Sequence, residues 1–224
     1  MIYIIRHGQT ELNQRKLLQG RSDRLLNDVG IEQAREAAAA LRGVSFDHVF
    51  TSPLRRAIQT AEIVAPDVRA VIDERLIEMD YGPYEGTDLT ALPSEVLTFF
   101  SDFVHNPAPA GMEPLPSVVE REGRFLEDIK KLSGNILIST HAIAMKGILE
   151  YLTPDSGGAY WSKFIGNCAV YVAEHAEGEI GIPGEWKWKE GCPVLCAASR
   201  SGGERERTPD GSKKSLHDSG RRNC

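Results

Sequence analysis

Ile2-Tyr3-Ile4-Ile5 is an apolar run without a polar face, and it ends in Arg6-His7-Gly8. A strand that is apolar on both sides must be covered on both sides. Such strands belong to largely parallel sheets held between two layers of helices. The run therefore confines the chain to a small set of α/β architectures. It also puts a cation, an imidazole and a glycine at the carboxyl end of a buried strand, where proteins of this class bind ligands.

The rest of the chain alternates in the same sense. Asn27 or Asp28 is placed to cap a helix whose apolar face carries Ile31, Ala34, Ala38 and Leu41, with Gly43 as its stop. A second strand is predicted over residues 48–51. Ser52-Pro53 reads as a helix start, with Ser as N-cap and Pro at the first helical position; Leu54, Ala57, Ile58 and Ala61 form the stripe. A short third strand is expected at 68–72. Residues 73–116 read as irregular, apart from a helix around 94–104 and a stiff loop set by Pro107, Pro109, Pro114 and Pro116.

Ser117 and Glu120 have capping-box spacing, and the helix they would open turns Val118, Phe125, Ile129 and Leu132 inward. Residues 136–138 form a fourth strand that ends at Ser139-Thr140-His141, and a helix follows to about Leu152. Further strands are expected at 168–172 and 186–188. The fold class implied is a three-layer α/β/α sandwich with a mostly parallel central sheet. One domain spans residues 1–191. Residues 192–224 are rich in Ser, Gly, Arg and Lys with little to bury, and read as a disordered extension.

The 224 residues suffice for one domain with a substantial core. The net charge of −6 argues against nucleic acid as a partner. No apolar run is long enough to cross a bilayer, and no basic and apolar leader opens the chain, which implies a cytoplasmic protein without a membrane partner. Cysteine usage fits the same setting. Cys168 stands alone, and Cys192, Cys196 and Cys224 lie near the end of the chain. With His217 these three could collect a zinc ion, but the sequence between them lacks the apolar residues of a zinc module, so no metal site is assigned.

Two predicted strands end in histidines, His7 and His141. Arg6 follows the first strand, and Arg56 lies just inside the helix after the second. Parallel strands bring these positions to one sheet edge. Two arginines and two imidazoles there make a pocket for a phosphoryl group, because the guanidinium fork matches phosphate oxygens. Taken singly, each residue has a plainer reading, as a loop histidine or a solvated arginine. Their placement, each at the functional end of its own element, favours the pocket.

These residues fall within longer motifs. Arg6-His7-Gly8-Gln9-Thr10 with Asn13, followed by Leu18-Gln19-Gly20, Asp23 and Leu26-Asn27, makes the first. Thr51-Ser52-Pro53-Leu54-Arg55-Arg56-Ala57 with Gln59-Thr60-Ala61 makes the second. Glu78-Met79-Asp80-Tyr81-Gly82 with Glu85-Gly86, and Ser139-Thr140-His141, complete the set. In this order they resemble the histidine phosphatase superfamily, in the branch with cofactor-dependent phosphoglycerate mutase and small-molecule phosphatases. The resemblance implies a phosphoglycerate mutase-like fold and a phosphohistidine formed on His7. It implies Arg6, Arg56 and His141 around the transferring phosphoryl group, and Glu78 as general acid, its pKa raised by burial against the lowering pull of the two arginines, with Asp80 and Glu85 as the competing carboxylates. Thr10, Asn13, Gln19, Gly20 and the amides near Ala142 are the implied substrate contacts. No cofactor or metal is implied. The chain departs from the pattern at Ala142-Ile143-Ala144, where glycine often follows the histidine. It also departs at Leu25 and across Gly111-Met112-Glu113-Pro114.

The resulting expectation is a metal-independent phosphomonoester hydrolase for a small phosphorylated metabolite. Mutase activity is the first alternative, and the short span from Glu78 to His141 argues against it. A catalytically silent phosphate-binding module is the alternative from another class. It is disfavoured because all five chemical residues are present. Monomer and homodimer both remain open.

Overall fold

The first strand, β1 (Ile2–Arg6), is buried along its apolar length and alternates between the two faces of the sheet. The computed structural model describes residues 1–189 and 192–195. After β1 come a single helical turn, α1 (Glu11–Gln14), then α2 (Asp28–Ala40), β2 (His48–Thr51), α3 (Arg55–Val64) and β3 (Val71–Ile72). The chain continues through α4 (Ser94–Ser101), α5 (Leu115–Ile129), β4 (Ile136–Thr140), α6 (Ala142–Leu152) and β5 (Val170–Ala173). It ends in β6 (His175–Ala176), β7 (Glu179–Ile180), β8 (Gly184–Lys189) and β9 (Cys192–Leu195).

The main sheet runs in the order β3-β2-β4-β1-β5-β8-β9. β3, β2, β4 and β1 are parallel, and β5, β8 and β9 extend them antiparallel. On one face Tyr3, Ile5, Val49 and Leu137 pack with Ala34, Leu41 and Ala61 from α2 and α3. On the other, Ile2, Ile4, Ile136 and Ile138 pack with Phe125, Leu126, Met145 and Ile148 from α5 and α6. This is the α/β/α layering expected from the apolar runs. A third cluster, with Met79, Tyr81, Phe99, Met112, Leu115 and Trp161, lies among the loops and α4–α6.

Register decides the site. Arg6 pairs with Thr140 across the β1–β4 ladder, so His7 and His141 leave adjacent strands side by side. Thr51 pairs with Ser139 on the other side of β4, which brings Ser52 beside the same point. Behind β1, the turn at Gly8 presses on the start of α2. A Cβ at Gly8 would lie 2.4 Å from the Gly30 carbonyl oxygen, so neither backbone tolerates a side chain there.

Several helix starts differ from the sequence reading. Asn27 caps α2 as expected, its side chain accepting from the Gly30 N–H. Ser52 is not the N-cap residue of α3, which begins three residues later; its Oγ accepts from the Leu54 N–H at 3.3 Å, and the Arg55 N–H is met by Asp23 Oδ1 at 2.8 Å. The Ser117–Glu120 capping box does not form either. Pro114 stands at the cap and Pro116 in the first turn, so α5 is already helical when Ser117 is reached. A capping box does form at Thr10 and Asn13, opening α1. β3 is shorter than expected, β5 starts after Cys168, and the β6–β7 hairpin had no counterpart in the sequence reading. Residues 192–195, assigned above to the extension, pair with β8. The remainder of that segment, with Cys196, His217 and Cys224, lies outside the described residues.

Candidate active site

His7 is buried at the end of β1. Its Nδ1 lies 2.7 Å from the Gly8 carbonyl oxygen. A carbonyl only accepts, so Nδ1 carries the proton and Nε2 keeps its lone pair. Arg56 Nε–H donates to that nitrogen at 3.1 Å. Burial, with Arg56 and Arg6 close by, holds the imidazole well below its ordinary value of 6.5, and it stays neutral.

Arg56 is fully buried. Its Nη1 donates to Ser22 O at 2.8 Å and its Nη2 to Gly20 O at 2.7 Å. Every hydrogen-bond partner is a neutral acceptor, so the positive charge is held in place without a carboxylate bonded to it. Burial pulls its pKa down to about 10, which leaves it charged at neutral pH. Gly20 serves this contact closely: a Cβ there would stand 2.5 Å from Met79 O. Arg6 is fixed in a similar way, Nη1 donating to Ile165 O.

His141 sits at the N-cap of α6, its ring centroid 5.1 Å from that of His7. Its Nε2 lies 2.7 Å from Ser52 Oγ. Ser52, read from sequence as a helix cap, therefore orients the second histidine. Burial and nearby Arg56 push this imidazole down as well.

Glu78 is buried too, but it is held as an acceptor. Oε1 receives Met79 N–H at 2.9 Å and Ala144 N–H at 3.0 Å, and Oε2 receives Ile143 N–H at 3.2 Å. The sequence reading set burial against the two arginines. The structure adds three amides, two of them at the start of α6. The amides of Ile143 and Ala144 are thereby occupied, whereas that of Ala142, the first residue of α6, is not among the donors to Glu78.

The five chemical residues thus converge. Among the implied substrate contacts, Thr10 caps α1 and donates its hydroxyl to Gln19 Oε1 at 2.7 Å, and Asn13 Nδ2 donates to the same oxygen at 3.3 Å. Gly20 contributes its carbonyl to Arg56. Buried side-chain atoms without a protein partner include Arg6 Nε, Gln19 Nε2 and His141 Nδ1. All three belong to residues of this constellation. Buried donors left open are costly unless a ligand meets them.

Sequence reasoning missed Asn167, whose Nδ2 donates to His7 O at 3.0 Å. A lone Asn in a loop far along the chain gave no signal. It also missed Lys146 on α6, whose Nζ donates to Trp161 O at 2.7 Å and whose pKa burial pulls down to about 8. A cavity of about 880 Å³ between α4, α5 and the loop at Trp161 is lined by none of the five residues. Among the described residues no three His, Cys, Asp or Glu side chains stand together as a metal-binding group. No helix among them is long and apolar enough to cross a membrane.

An α/β sheet with two histidines and two arginines gathered at its parallel strand ends defines a phosphate-handling enzyme of the phosphoglycerate mutase-like class. The family model described as "Histidine phosphatase superfamily (branch 1)" matches residues 2–184, and the chain belongs to that superfamily as one of its phosphatases. A Hydrogenobacter thermophilus protein provisionally named phosphoserine phosphatase 2 is 33% identical over 184 residues, 80% of this chain and 90% of that one. A 2,3-bisphosphoglycerate-dependent phosphoglycerate mutase of Azorhizobium caulinodans is 32% identical over 172 residues, 69% of this chain and 84% of that one. Among solved structures, a mutant phosphoserine phosphatase of Entamoeba histolytica in complex with phosphoserine superposes with a TM-score of 0.70 at 27% identity, covering 88% of this chain and 94% of that one.

Proposed function

We propose that this phosphatase hydrolyses a small phosphorylated metabolite through a phosphohistidine on His7. The observation that carries the reading is the state of His7: neutral, with Nδ1–H held by the Gly8 carbonyl and Nε2 directed at Arg56 among open buried donors. On substrate entry a phosphoryl oxygen takes over the Arg56 Nε–H and frees the Nε2 lone pair. Nε2 attacks phosphorus as the ester P–O bond breaks, which splits one difficult displacement into two easier ones. Arg6, Arg56, Gln19 Nε2 and His141 Nδ1 meet the charge on the phosphoryl oxygens, and this is the main work asked of the protein in such a transfer.

Glu78 handles the proton. In the second step water attacks phosphorus, its proton passes to Glu78, and the P–N bond returns its electrons to Nε2. In the next turnover Glu78 delivers that proton to the leaving oxygen. Oε2, with a single amide contact, is the oxygen open to this exchange. The similarity to phosphoserine phosphatases supports a small monoester as substrate. The buried free thiol of Cys168 suits a reducing, cytoplasmic setting.

The test is rapid quench with a labelled aryl phosphate, followed by a screen of phosphorylated metabolites. An acid-labile, base-stable adduct on His7 is expected. Label on serine or aspartate would end the phosphohistidine route.

A further inference from the structure

Gln19 Nε2 is a buried donor without a protein partner. Which end of that amide stays free matters, because an oxyanion is met by N–H and repelled by C=O. A chain of side-chain amides fixes the choice. Gln19 Oε1 accepts from Thr10 Oγ1 and from Asn13 Nδ2. Asn13 can offer Nδ2 because its Oδ1 faces two donors, Thr10 N–H at 3.2 Å and Asn167 Nδ2 at 3.4 Å. Asn167 Nδ2 also donates to the His7 carbonyl at 3.0 Å, and a carbonyl can only accept. Every link then has one direction, from the backbone of the nucleophile out to Gln19.

The segment that carries Asn167 is itself locked. Cys168 holds φ at +54°, a left-handed conformation rare for a residue with a side chain. Its N–H donates to Arg6 O at 3.1 Å and reaches His7 O at 3.4 Å. Ala169 O accepts from Arg6 N–H at 3.1 Å. Asn167 thus approaches the site on a backbone already pinned to Arg6 and His7.

We propose that Asn167 is a positioning residue for the oxyanion site, donating to the His7 carbonyl and to Asn13 so that the amide chain ends with Gln19 Nε2 as a free donor. This rests on the reading of the His7 pocket as a phosphoryl site. Asn167 acts through Asn13 and Gln19 and touches no reacting atom.

A double-mutant cycle tests it, with inorganic phosphate as probe and calorimetry as readout. Asn167→Asp replaces the donor by an acceptor of nearly the same size. Its carboxylate would face the His7 carbonyl and Asn13 Oδ1. Asn13 turns its amide away from the carboxylate, giving up the bond from Thr10 N–H, and Gln19 follows with its oxygen toward the anion. In the wild-type background the change is expected to weaken phosphate binding by at least about tenfold, the size of one buried donor lost. In a Gln19→Ala background it is expected to cost only what the new negative charge costs, at least about fivefold less. In steady-state turnover the same coupling should show mainly in KM.

Equal losses in the two backgrounds would overturn the proposal, as would an Asn167→Asp protein that binds phosphate within twofold of wild type. If Asn167→Asp does not fold, Asn167→Leu, which removes the donor without adding charge, is carried through the same cycle under the same criterion. Binding is read without turnover. A wild-type chain that binds phosphate but hydrolyses no monoester would therefore end the hydrolase reading while the cycle still decides this one.

Discussion

The floor of the site, at the ends of β1 and β4, and the rim above Glu78 hold their arginines in opposite ways. On the floor, Arg6 and Arg56 donate to backbone carbonyls and to His7, and no carboxylate pairs with either. On the rim, Arg21 pairs with Asp80 and Glu113, each at 3.3 Å, and Arg121 pairs with Glu113 at 2.9 Å. Arg55 and Arg56 show the contrast between chain neighbours: Arg55 is tied to Asp23 at 3.0 Å and lies in solvent, whereas its successor is buried on carbonyls. Positive charge is available for an anion only where its partners are neutral. The rim arginines are already satisfied, so their task is to hold the loops.

The largest effect should come from the floor. His7→Ala is expected to lower turnover of an aryl phosphate by about 10⁴-fold or more, since it removes the nucleophile. Substantial remaining activity would break the account. Next, Arg56→Ala should cost about 10²–10³-fold in kcat, the size of losing a preorganised donor to a developing anion. Arg55→Ala should stay within about threefold, because the change touches a solvated pair. Similar losses for the two would erase the distinction between charges on carbonyls and charges on carboxylates.

Arg121→Ala probes the rim. It strips Glu113 of its buried partner and also Glu122, whose carboxyl burial pushes well above the usual carboxylate range. A loss of about 3 kcal/mol in urea unfolding is expected, with kcat on an aryl phosphate little changed. A collapse of kcat instead would move Arg121 into the chemistry.

Acid should act on the floor first. His7 and His141 are neutral when folded, with pKa values pushed well below 6.5, and both take protons when unfolded. The unfolded chain therefore binds more protons below about pH 6.5, and stability falls as pH drops from there. Each imidazole contributes up to about 1.4 kcal/mol per pH unit. A melting temperature unchanged between pH 6.5 and 5 would show that the two rings are not neutral in the fold. The smallest change is Asp23→Ala, which removes the acceptor at the start of α3 and should cost about 1 kcal/mol.

The floor was legible in the sequence for a physical reason. His7, Arg6, Arg56 and His141 lie at the ends of elements that the apolar pattern marks, and parallel pairing does the rest. Local chemistry was read less well where a long-range partner competed for the same atoms. Ser52 looks like a cap from its neighbours, and its hydroxyl does accept from the Leu54 N–H, yet it also serves His141 across the sheet. The capping box at Ser117 loses to two prolines that start the helix earlier. Glu78 was expected to be governed by burial and by the two arginines, but three amides, two of them from α6, meet its oxygens. Asn167 could not be found at all, because its partners lie at the other end of the chain and share no periodicity with it.

The position of β1 has a consequence for how the protein comes into being. β1, which ends at the proposed nucleophile, is made before the other strands of the sheet, yet its two neighbours, β4 and β5, are among the later elements to emerge. Until residues 165–169 have been made, Arg6 has nothing to anchor its guanidinium, and the His7 carbonyl has no side-chain partner. Pairings this distant are slow to close, since chain entropy is spent before contacts return it. The proposed catalytic centre is therefore started early in synthesis and finished late, its last anchors arriving with residues 165 and 167.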